Sequence, residues 1–203
     1  MNLFSVIDNE QNKVFSLRSQ NLSFEVEFNI FESRFWPRVR HLTKLSSLVI
    51  WTEICSNIKG RVDSYKYYEG GIDIDTYLEK SRKKKGTFLE LEERIEIYII
   101  WVKYEQWKTE MRAYDLNDVV NHVLMQIKSD MINEVQMVHF LMVDEVQDLT
   151  QNIISLLMSI AQKNIFFSGD TAQTIAKGIG FRFYDLKQVF SSTNYDQAYQ
   201  NSF

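Results

Sequence analysis

Apolar and polar residues alternate over Phe24-Glu25-Val26-Glu27-Phe28-Asn29-Ile30, the period of a half-buried strand. The first 35 residues read as extended segments. Pro37, after Trp36, marks a turn or a helix start. The period then lengthens to that of helices. Apolar residues at 50, 51, 54, 55 and 58 predict a helix ending near Gly60. Gly70-Gly71 is a turn, and Asp73 or Asp75 caps a short helix through Ser81. Residues 88–113 carry the longest helical signal. Leu91, Ile95, Tyr98 and Val102 share one face, which Ile99, Trp101, Trp107 and Met111 widen. At helical spacing these aromatics read as core rather than as base-stacking groups. Asp115 caps the next helix, with Leu116, Val119, Val120, Val123, Leu124 and Ile127 on its inner stripe.

The last third changes character. Val138 to Val143 is an apolar run of strand length, ended by Asp144-Glu145-Val146-Gln147-Asp148. Thr150 caps a helix with Ile153, Ile154, Leu157 and Ile160 on its apolar face. Asn164 to Ser168 is a second apolar strand, closed by Gly169-Asp170. Strand, helix and strand, both strands apolar throughout, predict a βαβ unit of a buried parallel sheet. In such sheets chemistry sits at the carboxyl ends of the strands, where both polar clusters lie.

Composition narrows the class. The chain of 203 residues has seven Gly and one Pro. Average usage would give roughly 24 of the two together, so turn-rich sandwiches and barrels are excluded. The net charge of −4 excludes a globally basic nucleic-acid binder but leaves room for a local basic groove. Arg82-Lys83-Lys84-Lys85 is read as a solvated loop, with a phosphate contact as the sharper alternative. Cys55 is the only cysteine, which excludes an internal disulfide and favours an intracellular setting, nucleus and cytoplasm both open. The scattered His41, His122 and His139 read as core or surface residues rather than a metal site. The start of the chain lacks the pattern of a signal peptide, and no apolar run is long enough to span a membrane.

Asp144 and Glu145 raise a specific chemistry. Adjacent carboxylates at the mouth of a buried strand repel each other and are costly to desolvate. A divalent cation relieves that cost. Mg²⁺ takes one or two carboxylates together with substrate phosphates. The second acid is then free to orient or deprotonate an attacking water, the Walker-B division of labour. An acidic strand-to-helix turn is the plain alternative. The second cluster, Gly169-Asp170-Thr171-Ala172-Gln173, lies one βαβ step on and tips the balance towards a site.

Val143-Asp144-Glu145-Val146-Gln147-Asp148 resembles motif II of the UvrD/Rep-like superfamily 1 helicases, and Ser168-Gly169-Asp170-Thr171-Ala172-Gln173-Thr174-Ile175 resembles their motif III. The wording is most similar to the large eukaryotic helicase-like proteins with tetratricopeptide and ankyrin repeats. Weaker likeness extends to Trp51-Thr52-Glu53-Ile54, Ile58-Lys59-Gly60 and Asp115-Leu116-Asn117-Asp118. The resemblance implies ATP and Mg²⁺ as cofactors, and single-stranded DNA or RNA and the remaining helicase domains as partners. It implies that Asp144 holds Mg²⁺ and Glu145 polarises the attacking water. It further implies that Gln147 and Gln173 sense the γ-phosphate and that Asp170 ties the two strands together. Phe181-Arg182 is the nearest match to the base-stacking aromatic-Arg pair, at a spacing shifted by Lys177-Gly178-Ile179-Gly180; a core role for Phe181 stands beside it.

The phosphate-cradling loop G-x-x-x-x-G-K-[ST] has no match, because no glycine in the chain is followed by lysine. The expected fold is therefore α/β, a partial P-loop NTPase (RecA-like) parallel sheet carrying motifs II and III, preceded by a mostly α-helical insertion. Residues 1–50 form a mixed N-terminal segment, 51–132 the helical insertion, and 133–203 the C-terminal half of a RecA-like domain. The expected function is a fragment of an ATP-dependent helicase that does not turn over ATP alone. The alternative is a non-catalytic, helicase-like interaction module.

Overall fold

The computed structural model describes residues 24–67, 70–83, 89–129, 138–170, 186–187 and 189–190. Strand β1, Phe24–Glu25, leads into a helical run over residues 28–42, α1. Helix α2 covers residues 47–58, α3 is Ile74–Lys83 and α4 is Leu91–Met111. Strand β2, Ala113–Tyr114, pairs in parallel with β1. Helix α5, Leu116–Lys128, precedes strand β3, Val138–Val143. Helix α6, Gln151–Ile160, then connects to β4, Ala161–Phe167, which runs parallel to β3. The result is a mixed helix-and-sheet structure with small parallel sheets.

The larger core joins α1, α2, α3 and α4. Phe31, Phe35, Ile50, Ile54, Ile58, Ile97, Ile100 and Tyr104 are almost wholly buried there. This core explains the first departure from the sequence pattern. The strand expected over 24–30 ends at Glu25, and Phe28 already begins a helix. Alternation over seven residues is compatible with both, and packing of Phe28 against Trp51 and of Phe31 against Trp51 and Tyr104 decides for the helix. Within α1, residues Phe31–Phe35 take the wider π form, and the Trp36 N–H reaches back to the Phe31 carbonyl. Pro37 follows directly; it lacks an N–H, so the ladder loses a rung at that point.

Helix α4 is rotated from expectation. Ile97, Ile100, Trp101, Tyr104 and Trp107 are buried, whereas Leu91, Ile99 and Met111 are exposed. Two charged residues, Arg94 and Lys108, occupy buried positions on this inner face. Charge at those positions hid the true stripe. On α5 the cap at Asp115 is present as a reciprocal box with Asp118, but Leu116 is exposed. Asp73 accepts the Thr76 N–H at 2.9 Å and starts α3 as expected, though the helix runs to Lys83.

The βαβ unit forms, with a second small core of Val143, Val146, Ile154 and Met158. On α6 the buried face includes Asn152, Ser155, Leu156 and Met158 besides Ile154 and Ile160, while Ile153 and Leu157 are half-buried. The Thr150 side chain bonds the Asn152 side chain rather than a helix N–H. The sheet is not buried on both faces as expected. Phe140, Met142 and Phe166 are more than half exposed, while Leu141, Ile165 and Phe167 on the opposite face pack against the core. Among the described residues β4 has β3 as its one strand partner, and no described strand pairs with its other edge. No helix among the described residues is long and apolar enough to cross a membrane.

Candidate functional site

In the parallel register Val143 lies opposite Phe167, so the two polar clusters leave the sheet at one edge. The Ser168 N–H donates to the Val143 carbonyl at 2.8 Å, and the Val146 N–H donates to the Ser168 carbonyl at 3.0 Å. The chain turns sharply after β3. Glu145 has φ of +53°, a left-handed conformation that is costly for a residue with a side chain. A short 3₁₀ turn, Val146–Asp148, follows.

Gln147 is the centre of the arrangement. It is buried, and its side-chain oxygen accepts the Asp170 N–H at 3.0 Å. Its amide nitrogen is thereby turned to the Glu145 carboxylate, to which it donates. One side chain thus ties the backbone after β4 to the acid after β3. Gly169 makes room for it, since a Cβ there would lie 2.5 Å from the Gln147 side-chain oxygen. The Asp144 carboxylate accepts the Glu145 N–H at 2.9 Å through one oxygen and is exposed to solvent. Asp144, Glu145, Gln147 and Asp170 therefore gather at one strand edge. Gln173, Phe181 and Arg182 lie outside the described residues.

A second constellation is buried between α2, α4 and α5. The Lys59 ammonium is fully buried and meets Glu105 at 2.9 Å, Asp115 at 2.6 Å and Asp118 at 2.6 Å. Lys108 meets Glu105 at 3.0 Å and Asp115 at 2.9 Å, and also pairs with Asp118. Burial alone would lower the pKa of Lys59, but Asp115, Asp118 and Glu105 outweigh it and hold it well above the ordinary lysine value. Burial would raise Asp115, yet Lys108 and Lys59 hold its carboxyl below the usual range. Burial pushes Glu105 up, against the pull of Lys59 and Lys108. The three carboxylates lie within 4.8 Å of one another, a spacing suited to a metal ion. Both ammonium groups already pair with all three, so this cluster is an internal ion-pair network.

The network continues as hydrogen bonds to the βαβ unit. The Asn152 amide, on the first turn of α6, donates to the Lys59 carbonyl, to Asn117 at 2.8 Å and to Asn121 at 3.0 Å. The Asn152 N–H donates to the Gly60 carbonyl at 2.9 Å. Asn117 donates to the Cys55 carbonyl at 3.1 Å and Asn121 to the Gly70 carbonyl at 2.8 Å. Gly60 is required at this crossing, because a Cβ would sit 2.2 Å from the Cys55 carbonyl oxygen and 2.8 Å from Thr150 Cβ. The helix after the acidic turn is thereby fastened to the helical part of the chain. Sequence reasoning did not find this network. The signal was present in the weaker upstream pieces, since Lys59-Gly60 and Asp115-Leu116-Asn117-Asp118 meet here in space.

A profile of the UvrD/REP helicase N-terminal domain matches residues 7–186. The chain belongs to the UvrD/REP helicase family. It is also 32% identical over 168 residues to the human "TPR and ankyrin repeat-containing protein 1". That alignment covers 81% of this chain but 6% of the relative, so the chain spans a small part of the protein it resembles. No solved structure matches the chain.

Proposed function

We propose that this chain supplies the acidic half of an ATP site in a UvrD-like helicase that works on single-stranded DNA or RNA. In this reading residues 51–132 are a helical insertion and residues 133–203 the C-terminal half of a RecA-like, P-loop NTPase domain. Residues 1–50 belong to the insertion. The observation that carries the reading is the linkage Asp170 N–H to Gln147 to Glu145 at the ends of two parallel strands.

The donor chemistry at this edge fits Mg²⁺. Asp144 is exposed and keeps a carboxylate oxygen beyond the one that takes the Glu145 N–H, and carboxylate oxygen is the ligand this hard cation prefers. When bound, the cation would neutralise charge on the phosphates. Asp144 is the residue to hold it. Glu145 is the residue to accept a proton from, or orient, the attacking water. Gln147 fixes the direction of that carboxylate and makes it sensitive to the position of Asp170. Gln173 is assigned to the γ-phosphate, and Phe181 and Arg182 to the nucleic acid, from the family pattern.

The phosphate cradle is absent from this sequence, so the chain alone does not turn over ATP. Measurable ATP hydrolysis by the purified chain would overturn the reading of a split site. In a longer protein that also contains a phosphate-binding loop, Glu145→Gln should leave Mg-ATP binding largely intact and abolish hydrolysis. Hydrolysis that survives this change would remove Glu145 from its role. The missing cradle also favours a second reading, a non-catalytic helicase-like interaction module. A verified full-length transcript with no such loop upstream would decide for that module.

A further inference from the structure

The chain is acidic overall, yet residues 33–52 contain no Asp or Glu. Four permanent cations, Arg34, Arg38, Arg40 and Lys44, fall in this stretch, with His41 among them. All five side chains are exposed. Among the described residues none of the four permanent cations forms an ion pair. Their exposure follows from the packing of α1. Phe31, Phe35 and Val39 are buried in the larger core, which turns the opposite side of the helix to water. Arg34 and Arg38 are four residues apart on α1 and so stand on one side, about 5–6 Å between Cβ atoms on helical geometry; Arg40 lies in its last turn and Lys44 in the turn that follows. The Arg34 guanidinium lies 5.2 Å from the centre of the Phe24 ring, which steadies it without neutralising it.

We propose that this face of α1 and the turn after it bind the phosphate backbone of a single-stranded nucleic acid. Cations unpaired on an otherwise acidic protein concentrate positive potential locally, and a polyanion is the partner that releases counterions on binding there. An anionic membrane is the poorer fit. A membrane-surface helix must insert its apolar side into the lipid, and here Phe31, Phe35 and Val39 are already committed to the core. The contact is to phosphates, so binding is insensitive to base sequence. The site is built on the larger core, apart from the acidic strand edge of the smaller one. The choice of a single strand rests on the helicase reading; the positions of the cations do not.

The test is fluorescence anisotropy of the whole chain with labelled oligo-dT and oligo-U, without nucleotide. Four phosphate contacts on a single strand predict a log–log salt slope of about −2.8, or about 50-fold weaker binding at 200 mM than at 50 mM salt. The variant R34Q/R38Q/R40Q/K44Q should lose most of the affinity and flatten the slope towards zero. The charge-preserving R34K/R38K/R40K should keep the slope. These side chains are exposed, so both variants should retain the wild-type circular dichroism and urea midpoint. Unchanged affinity and slope in the glutamine variant would overturn the proposal, and so would absence of oligonucleotide binding at 50 mM salt. Phosphatidylserine vesicles that bind the wild type more tightly than the oligonucleotides, and lose binding in the glutamine variant, would assign the face to membranes instead. None of these outcomes bears on Asp144 and Glu145, whose reading stands or falls on the ATP experiments.

Discussion

Lys59→Met is the sharpest perturbation of this fold. The methionine fills a similar volume but removes an ammonium that meets three carboxylates at 2.6–2.9 Å in a fully buried position. In the wild type two lysines face three acids, a local formal charge of −1; the variant leaves Lys108 alone among them, at −2. Breaking a buried ion pair by removing one partner costs about 3–5 kcal/mol, because the other charge stays buried without compensation. A domain is stable by roughly 5–15 kcal/mol in total, so the loss is about a fifth of that or more. Urea unfolding at pH 7 reads it directly. Tryptophan fluorescence is a suitable probe, since the Trp101 indole N–H donates to Glu105 at 3.2 Å, inside the network. The double variant Lys59→Met/Asp118→Asn returns the local charge to −1 and should be less destabilised than the sum of its singles by about 0.5–3 kcal/mol. A loss below about 1 kcal/mol for Lys59→Met, or strict additivity in the cycle, would refute the view that these charges form one coupled buried unit.

The same geometry sets three further outcomes. Asp115 is held below its unfolded value of about 3.9, so it adds stability above that pH and loses it as pH falls through the lower folded value. Acid unfolding followed by circular dichroism should therefore begin at higher pH in Lys59→Met than in the wild type. Asn152→Ala leaves the Asn117 side-chain oxygen without its donor and takes one of two donors from the Lys59 carbonyl and from the Asn121 side-chain oxygen, and should cost about 1–3 kcal/mol in urea unfolding; a loss under about 0.5 kcal/mol would mean that the joint does not depend on it. Gly169→Ala pushes a methyl group to within 2.5 Å of the Gln147 side-chain oxygen. It should destabilise the chain by about 1–3 kcal/mol, and Gln147→Ala in the same chain should relieve part of that loss.

The sequence pattern gave reliable elements where one period ran long and the caps agreed with it. Residues 88–113 and 115–127 are cases of this, as is the apolar strand, helix and strand that ends in Gly169. It failed where a polar side chain was buried or an apolar one was not. Arg94 and Lys108 face inward because Glu53 and the network around Asp115 compensate them. Glu53 lies 41 residues before Arg94, and Asp115 and Asp118 lie 7 and 10 residues after Lys108, beyond the end of its helix, and no periodicity reports such pairings. Phe140, Met142 and Phe166 gave the opposite error, since an unbroken apolar run predicts a second covering layer that the described residues do not supply. At the candidate site the residue types and their order were legible. The turning of Gln147 towards Glu145 was not, because the backbone N–H of Asp170, a group that every non-proline residue carries, sets it.

The two constellations share one piece of chain. Glu145 lies seven residues before Asn152, and between them run the 3₁₀ turn and the start of α6. Gln147 fastens the front of this segment to the backbone after β4, and Asn152 fastens its back to α2 and α5. Glu145 is held in a left-handed conformation that an isolated peptide would leave. Such a conformation persists when the surrounding structure fixes both ends of the turn, and here each end has a buried amide that does so. The Gly60 and Lys59 carbonyls, bonded to the Asn152 N–H and side chain, are therefore the contacts by which a displacement of the helical part would reach α6. From α6 the 3₁₀ turn carries it to Glu145. In a site where that carboxylate orients water, the amide joint at Asn152 is what ties the helical region to the acid's turn, so loosening Asn152 should disturb Glu145 without touching it.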